Sequence, residues 1–350
     1  MSTTMQAVVK AHAAPGIEIR EVPVPVPGPG EVLVRVQAAS VCGTDLHIYN
    51  WDQWAQGRIH PPLIPGHEFS GAVAGVGAGV TAVKEGDFVS AEMHVACGKC
   101  LQCRIGQAHI CQHVRILGLD ANGAFANYVI IPETNIWKLS PTIPRDWCSL
   151  LDPLGNAVHT VLAGPIAAQT VLITGCGAIG LFSIAVAKAC GAAKVFALEV
   201  NAHRRAVAAT MGADLVLDSS AENAENIKEQ ILTATGGTGV DVLLEMSGHP
   251  AAIRLGFALL RTGGRASLLG IPSRPLELDF ATNIIFKGAT VQGINGRKMF
   301  ENWFQMEALL ASGKLNLEPV ITHRLKLSEF SKGMEFLQSG EAIKVVFKLE

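Results

Sequence analysis

The sequence predicts an α/β protein with two domains, a β-rich domain followed by a domain built on a doubly wound parallel sheet. The length of 350 residues is greater than that of most single domains. Up to about residue 155, strand-like segments such as EVLVRVQ (31–37) and FANYVIIP (125–132) alternate with turns rich in proline and glycine. From about residue 160, apolar strands alternate with helical segments, an order that is typical of a parallel sheet.

The composition argues against several kinds of partner. Hydrophobic residues make up 49% and charged residues 17% of the chain, and the net charge of −2 predicts no basic surface for nucleic acid or anionic membrane. The first 16 residues lack the basic and then apolar pattern of a secretory signal, so we expect a cytoplasmic protein. The uncharged segment 171–187 is divided by glycines, which predicts a buried strand, turn and helix rather than a membrane span.

A glycine-rich turn, GCGAIG (175–180), follows an apolar strand and opens an apolar helix. In this context Gly175 permits the tight turn, Gly177 lets a pyrophosphate approach the backbone, and Gly180 lets the helix pack on the strand. Glu199 ends the next strand, 19 residues after Gly180. The pattern predicts a dinucleotide site with the phosphates at the helix N-terminus; the alternative is a glycine turn without a ligand.

Four of the eight cysteines are bunched at Cys97, Cys100, Cys103 and Cys111, with two, two and seven residues between them. Four thiolates at such spacing can close a tetrahedral shell, which predicts a structural zinc ion. An iron–sulfur cluster or metal-free thiols are the alternatives. Because no secretory signal precedes them, we expect reduced thiols rather than disulfides.

A second donor set combines Cys42 with His67 and Glu68. Each of these residues alone is more often structural, but sulfur, nitrogen and oxygen donors together can hold zinc and leave a position open for water or substrate. Thr44 and His47 follow Cys42 closely, and both side chains can pass a proton.

The chain resembles the zinc-dependent medium-chain alcohol dehydrogenases over essentially its whole length, and it is most similar to their L-threonine 3-dehydrogenase branch. Besides the motifs above and LLGIP (268–272), the resemblance rests on CGTDLHIYNWDQW (42–54), PGHEFSG (65–71), GAFANY (123–128), LDPLGNAVHT (151–160) and EMSG (245–248).

The resemblance implies a fold and a domain plan. We expect a GroES-like catalytic domain at 1–155 with a structural zinc lobe at 97–111, and a Rossmann NAD-binding domain at 156–295. Residues 296–350 should return to the catalytic domain. The resemblance also implies a homotetramer.

It further implies roles for individual residues. Cys42, His67 and Glu68 match catalytic zinc ligands, Thr44 and His47 match the proton relay, and Asp152 matches an acidic residue beside the metal that we expect to support the ligands. Two zinc ions are expected per chain, since the four bunched cysteines match the structural zinc ligands. The residues expected to bind NAD are Gly175, Gly177, Ile179, Gly180, Glu199, Arg204, Leu269, Gly270, Ile271, Ile294 and Asn295.

The expected reaction is NAD-dependent oxidation of L-threonine to L-2-amino-3-oxobutanoate, with zinc acidifying the substrate hydroxyl and hydride passing to the nicotinamide. One departure is Glu199, where the threonine enzymes usually carry aspartate. Two alternatives stay open at this point: a dehydrogenase of polyols or secondary alcohols, and a zinc- and nucleotide-binding protein without catalysis.

Overall fold

The computed structural model describes residues 3–349. Contacts between residues divide the chain into two units. The first unit comprises Met1–Pro153 together with Ile321–Glu350, and the second unit comprises Leu154–Val320. Each unit has a sheet of its own.

Short strands and helices alternate along the N-terminal part of the chain. They are β1 (Thr4–Val9), β2 (Glu18–Pro23), β3 (Glu31–Ser40), α1 (Gly43–Asn50), α2 (Gln53–Arg58), β4 (Phe69–Val76), β5 (Phe88–Ala91), β6 (His94–Val95), α3 (Leu101–Arg104), β7 (Arg115–Ile116), β8 (Tyr128–Pro132) and β9 (Ile136–Lys138).

The middle of the chain alternates strands with longer helices. The elements are α4 (Leu151–Val161), β10 (Thr170–Thr174), α5 (Ala178–Ala189), β11 (Lys194–Glu199), α6 (Ala202–Thr210), β12 (Leu215–Asp218), α7 (Ala224–Ala234), β13 (Val240–Glu245), α8 (Pro250–Leu259), β14 (Leu260–Leu268), β15 (Thr290–Gly293) and α9 (Glu301–Ala311). The C-terminal part forms β16 (Ile321–Lys326), α10 (Phe330–Gln338) and β17 (Lys344–Lys348).

The main sheet of the first unit is organised around β3. Its strand order is β16-β17-β3-β4-β5-β9, with β8 also paired to β3. The last strand, β17, runs antiparallel to β3 and sets Val346 opposite Ser40. Phe125, Phe330 and Phe347 form an aromatic cluster with ring centroids 5.2 to 6.0 Å apart. The C-terminal segment therefore shares a core with the N-terminal strands.

The second unit contains a six-stranded sheet in the order β12-β11-β10-β13-β14-β15, and every neighbouring pair is parallel. The strand order reverses between β10 and β13, and ligands of such sheets bind at the carboxyl ends of the strands near this reversal. The doubly wound parallel sheet predicted from the sequence is confirmed. The uncharged segment 171–187 forms most of β10 and α5, as predicted.

Two segments differ in extent from the sequence-based expectation. The strand predicted at 125–132 begins only at Tyr128, because Ala124 and Phe125 instead donate their amides to the carbonyls of Gly66 and Pro65. By its contacts, the segment 296–320 lies in the second unit, whereas the resemblance implies that all of residues 296–350 return to the catalytic domain. Within that unit, the buried Arg297 lies over the ring of Trp303 in α9.

Across residues 3–349, none of the helices combines the length and the hydrophobicity that crossing a lipid bilayer demands.

Candidate functional site

The first candidate ligand, Cys42, caps the N-terminus of α1 directly after β3. Its amide donates to the carboxylate of Asp45 at 2.9 Å, which fixes the turn between strand and helix. Asp45 is fully buried, and burial raises its pKa to about 6 although the nearby His67 opposes the shift. The turn therefore fixes the backbone from which the Cys42 side chain projects.

His67 and Glu68 lie directly before β4, in a turn that only glycine can form at position 66. Gly66 has a φ of +94°, and a Cβ there would lie 2.6 Å from the ring of Phe125. His67 and Glu68 are 7% and 1% exposed. Neither the His67 Nδ1 nor the Glu68 Oε1 has a hydrogen-bond partner among the described residues. Buried polar atoms are normally paired, so these two atoms are available to a ligand.

The ligand atoms of Cys42, His67 and Glu68 all lie within 4.8 Å of one another. Burial disfavours the charged imidazolium of His67, but the Cys42 thiolate, Asp45 and Asp152 outweigh burial and raise the pKa of His67 to about 10. The negative charge gathered around His67 thus favours a cation. A thiolate, an imidazole and a carboxylate are the donors that zinc takes in open sites, so the residues present fit zinc.

Asp152 lies in the first turn of α4 and is buried. Its charge acts on His67, but it lies outside the three-residue donor group.

Thr44 and His47 lie on α1 at a spacing of three residues, and residues so spaced share a helix face. The Thr44 hydroxyl is 3.7 Å from the Cys42 Sγ. His47 Nδ1 donates to the Asp52 carboxylate at 2.5 Å, and Asp52 also caps α2 by accepting from the amide of Ala55. Burial alone would raise the pKa of Asp52, but the hydrogen bonds from His47 and Ala55 lower it. An ionised Asp52 assigns the proton to Nδ1 and leaves Nε2 of His47 as the acceptor.

The four bunched cysteines also converge, around α3 and the adjoining 3₁₀ turn Ala108–Ile110. Their sulfur atoms lie within 4.8 Å of one another, and Cys100 Sγ is 3.5 Å from Cys103 Sγ and 3.8 Å from Cys111 Sγ. Sulfur atoms about 2.3 Å from a common tetrahedral zinc would be separated by about 3.8 Å. Backbone amides, foremost that of Cys103, lower the pKa of Cys100 to about 6. This group fits a closed zinc shell without an open position.

The glycine turn lies at the carboxyl end of β10. Gly175 has a φ of +88°, and a Cβ on Gly180 would lie 2.0 Å from the Gly175 carbonyl oxygen, so the helix can pack here only on glycine. Gly177 caps α5, and a Cβ at this position would meet no atom within 4 Å. Ile179 lies in the first turn of α5. The open space beside Gly177, at the N-terminus of a helix, fits a phosphate group.

Glu199 ends β11 and is 6% exposed. One carboxylate oxygen accepts from the Cys176 amide at 2.8 Å and the other from the Asn201 amide at 2.9 Å. Each oxygen retains a second lone pair for a ligand hydroxyl. Arg204 lies in the first turn of α6, and its Nε has no hydrogen-bond partner among residues 3–349. Glu199 is therefore fixed to the glycine turn by the Cys176 amide, whereas the Nε of Arg204 is not held by a hydrogen bond to any described residue.

The remaining predicted cofactor residues lie at the ends of β14 and β15. Leu269 and Gly270 donate their amides to the carbonyl of Glu245, Ile271 is 89% exposed, and the Ile294 amide binds the Leu268 carbonyl. The neighbouring Asn295 is exposed. These residues belong to the same sheet edge as Gly175 and Glu199, since carboxyl ends of parallel strands share one edge.

Asp52 and Lys344 are among the residues that contact predicted site residues without having been predicted themselves. Asp52 binds His47, and Lys344 binds Glu68 through an Nζ–Oε2 distance of 2.5 Å. Asp52 was detectable as an N-cap, because it precedes the helical segment QWAQGR. Lys344 was detectable as a charge at the start of the apolar strand KVVFK.

Two families match this chain. Residues 28–141 match the alcohol dehydrogenase GroES-like domain, and residues 178–312 match the zinc-binding dehydrogenase family. These matches confirm the GroES-like and Rossmann fold classes that the resemblance implied.

Relatives of established name cover the whole chain. An L-threonine 3-dehydrogenase from Bacillus licheniformis is 49% identical over 346 residues, which span 99% of each chain. An L-threonine 3-dehydrogenase from Pyrococcus abyssi is 49% identical over 351 residues, which span 100% of each chain.

Two solved structures with a similar fold carry nicotinamide cofactors. A chain from Sinorhizobium meliloti 1021, described as a zinc-binding dehydrogenase bound to NADP, has a TM-score of 0.90 at 28% identity and is covered to 100% by 99% of this chain. An alcohol dehydrogenase from Escherichia coli CFT073 complexed with NADH has a TM-score of 0.90 at 25% identity and the same coverage.

We predict two zinc ions per chain that differ in their resistance to chelation. Four thiolates would close the shell of one zinc, whereas the Cys42 group has three donors and an open position. A mild chelator should therefore remove zinc from the Cys42 group before it removes zinc from the four-cysteine group. Elemental analysis after timed chelation measures both losses. Cys42→Ser should lower the zinc content from two to one per chain, and Cys148→Ser, a buried cysteine outside both groups, should leave it at two. A Cys42→Ser protein that retains two zinc ions contradicts the assignment.

Proposed function

This chain belongs to the L-threonine 3-dehydrogenase family, and we propose that it oxidises the 3-hydroxyl of L-threonine with NAD to give L-2-amino-3-oxobutanoate. The observation that carries the proposal is the donor group of the half-buried Cys42 and the buried His67 and Glu68, which lies next to Thr44 on α1. The chain is also 49% identical to a named relative over 99% of its length. The glycine turn and Glu199 in the second unit support the use of a dinucleotide.

We propose that the first unit is the catalytic domain and that the second unit is the NAD-binding domain. In this proposal the catalytic zinc is held by Cys42, His67 and Glu68, and the charge of Asp152 acts on His67. The structural zinc is held by Cys97, Cys100, Cys103 and Cys111. A zinc ion at the first group would supply a Lewis acid that makes the substrate hydroxyl more acidic, and NAD would accept the hydride.

The residues of the chain have to remove the hydroxyl proton. Thr44, one helical turn before His47, is proposed to accept this proton and to pass it on, because a hydroxyl can donate and accept at once. His47 receives the proton at Nε2, since Asp52 binds its Nδ1–H at 2.5 Å. Asp52 therefore acts as a positioning residue that keeps one tautomer of His47 and stabilises its charged form.

Glu199 supports NAD rather than NADP as the cofactor. Its carboxylate is fixed by the amides of Cys176 and Asn201 at the end of β11, where the adenosine ribose binds in this fold. A 2′-phosphate about 4 Å from this carboxylate would cost on the order of 4 kcal/mol at an effective dielectric of about 20, before screening by salt. Arg204 acts in the opposite direction, but its Nε has no hydrogen-bond partner among the described residues, whereas both oxygens of Glu199 are held by backbone amides. We therefore expect the carboxylate to decide the preference.

We also propose a cytoplasmic homotetramer, as the resemblance to this family implies. Light scattering on the purified protein measures the number of chains per particle. A monomer at micromolar concentration contradicts the homotetramer.

The substrate and the cofactor are tested together by a panel of alcohols. We expect NADH formation with L-threonine and far lower kcat/KM with sorbitol and with butane-2,3-diol, each measured with NAD and with NADP on zinc-replete protein. A preference for either polyol supports the alternative dehydrogenase, and the absence of turnover with every substrate supports the non-catalytic alternative. A preference for NADP contradicts the role of Glu199. Cys42→Ser is the inactive control for the assay.

The relay is tested by His47→Asn. We expect turnover to fall by about 10² to 10⁴ at neutral pH, which is the usual contribution of a general base. The deficit should shrink as the pH rises, because hydroxide can then take the proton directly. Zinc content should stay at two ions per chain, since His47 is not a ligand.

Asp52→Asn is the matched variant for this test. The lowered pKa of Asp52 keeps it ionised at neutral pH, so its contribution to His47 is present there and is lost as the pH falls through the Asp52 pKa. We expect a smaller loss of turnover than for His47→Asn, in the same direction. A pH–rate profile identical to that of the wild type in both variants removes His47 and Asp52 from the relay.

A further inference from the structure

A buried lysine contacts a proposed ligand of the catalytic metal. Lys344, the first residue of β17, has a side chain that is 3% exposed, and its Nζ lies 2.5 Å from the Oε2 of Glu68. The same ammonium donates to the Val41 carbonyl at 2.7 Å. Lys344 thus contacts one member of the donor group and the backbone next to another, Cys42.

The two oxygens of the Glu68 carboxylate differ completely in their surroundings. Oε2 accepts from Lys344 and from the hydroxyl of Ser40. Oε1 is buried and has no hydrogen-bond partner among the described residues. A carboxylate can bind a metal through one oxygen or through both, and this environment distinguishes the oxygens before any metal binds.

We propose that Lys344 is a positioning residue that restricts Glu68 to one-oxygen coordination through Oε1. The proposal rests on the proposed function, in which Glu68 is a ligand of the catalytic zinc. Lys344 and Ser40 already use both lone pairs of Oε2, so a second metal–oxygen bond would have to displace one of them. The ammonium also opposes a second cation at this oxygen, and breaking the buried ion pair would strand a charge away from water. Restricting Glu68 to one bond keeps a coordination position open for the substrate hydroxyl.

In a different role, Lys344 would only neutralise the charge of Glu68 and would not affect how many oxygens of Glu68 bind the metal. The two roles predict different spectra. Cobalt(II) absorbs visible light more weakly as its coordination number rises above four, so a cobalt-loaded site reports how many bonds Glu68 makes.

The test uses hybrid protein in which mild chelation and reloading place cobalt at the Cys42 group while zinc stays at the four-cysteine group. Lys344→Met removes the charge and retains much of the side-chain volume. We expect its visible absorption per cobalt to fall, because Glu68 then binds through both oxygens and the coordination number rises. KM for L-threonine should rise more than kcat falls, because the open position is partly filled.

Three further variants complete the test. Lys344→Arg retains the charge and should restore the wild-type spectrum. The double variant Lys344→Met, Glu68→Gln should also return towards it, because an amide offers a single good metal-binding oxygen. Lys348→Met, on the same strand but paired with Asp146, is the matched control and should leave the spectrum unchanged.

If Lys344→Met does not fold, Lys344→Gln decides the question, because it removes the charge beside Oε2 and keeps a polar head group that can still donate to the Val41 carbonyl. Its absorption per cobalt should fall in the same direction by a smaller amount. Variants with one cobalt per chain and a spectrum equal to the wild type overturn the role of Lys344. Wild-type protein that takes up no metal at the Cys42 group instead overturns the proposed function.

Discussion

The pairing of β3 with its neighbours is the constraint on which the donor group depends. β3 ends at Ser40, just before Cys42, and its register sets Ala39 opposite Phe69, the residue that follows Glu68. On its other side, β17 sets Val346 opposite Ser40, which brings Lys344 to the same place. Side chains alternate across a strand, so a slip of one residue would displace Glu68 in the β3–β4 pairing and Lys344 in the β3–β17 pairing. Three segments distant in sequence therefore meet because one strand fixes their register.

The second unit depends on a different constraint, which is the close approach of backbone to backbone. A Cβ on Gly180 would lie 2.0 Å from the Gly175 carbonyl, and one on Gly270 would lie 2.2 Å from the Gly248 amide. Glu199 then joins the glycine turn to the end of β11 through the Cys176 amide. The same short contacts that fix the strand ends leave the space beside Gly177 open. Gly180 is therefore needed for close packing, whereas Gly177 leaves space that a ligand could fill.

The parts of the fold and site that could be predicted are those with a local signal. The cysteines between 97 and 111, the turn at 175–180 and the parallel sheet all follow from spacing or from strand and helix alternation, and the structure contains each of them. The pairing of Lys344 with Glu68 could not be predicted, because it depends on the register of β17 on β3. The start of β8 at Tyr128 was missed because hydrogen bonds to the 65–66 turn replace strand pairing in the residues before it.

The two metal groups differ in what part of the fold they require. The four cysteines lie within 15 consecutive residues, so closing that loop costs little chain entropy and requires only α3 and the adjoining turn. The Cys42 group requires the β3–β4 register for its ligands and the β3–β17 pairing for Lys344. A closed shell of identical thiolates suits a group that only holds a loop together. A group assembled from separate strands can offer unlike donors and an open position, because each donor is held by a different element and none has to fill the shell.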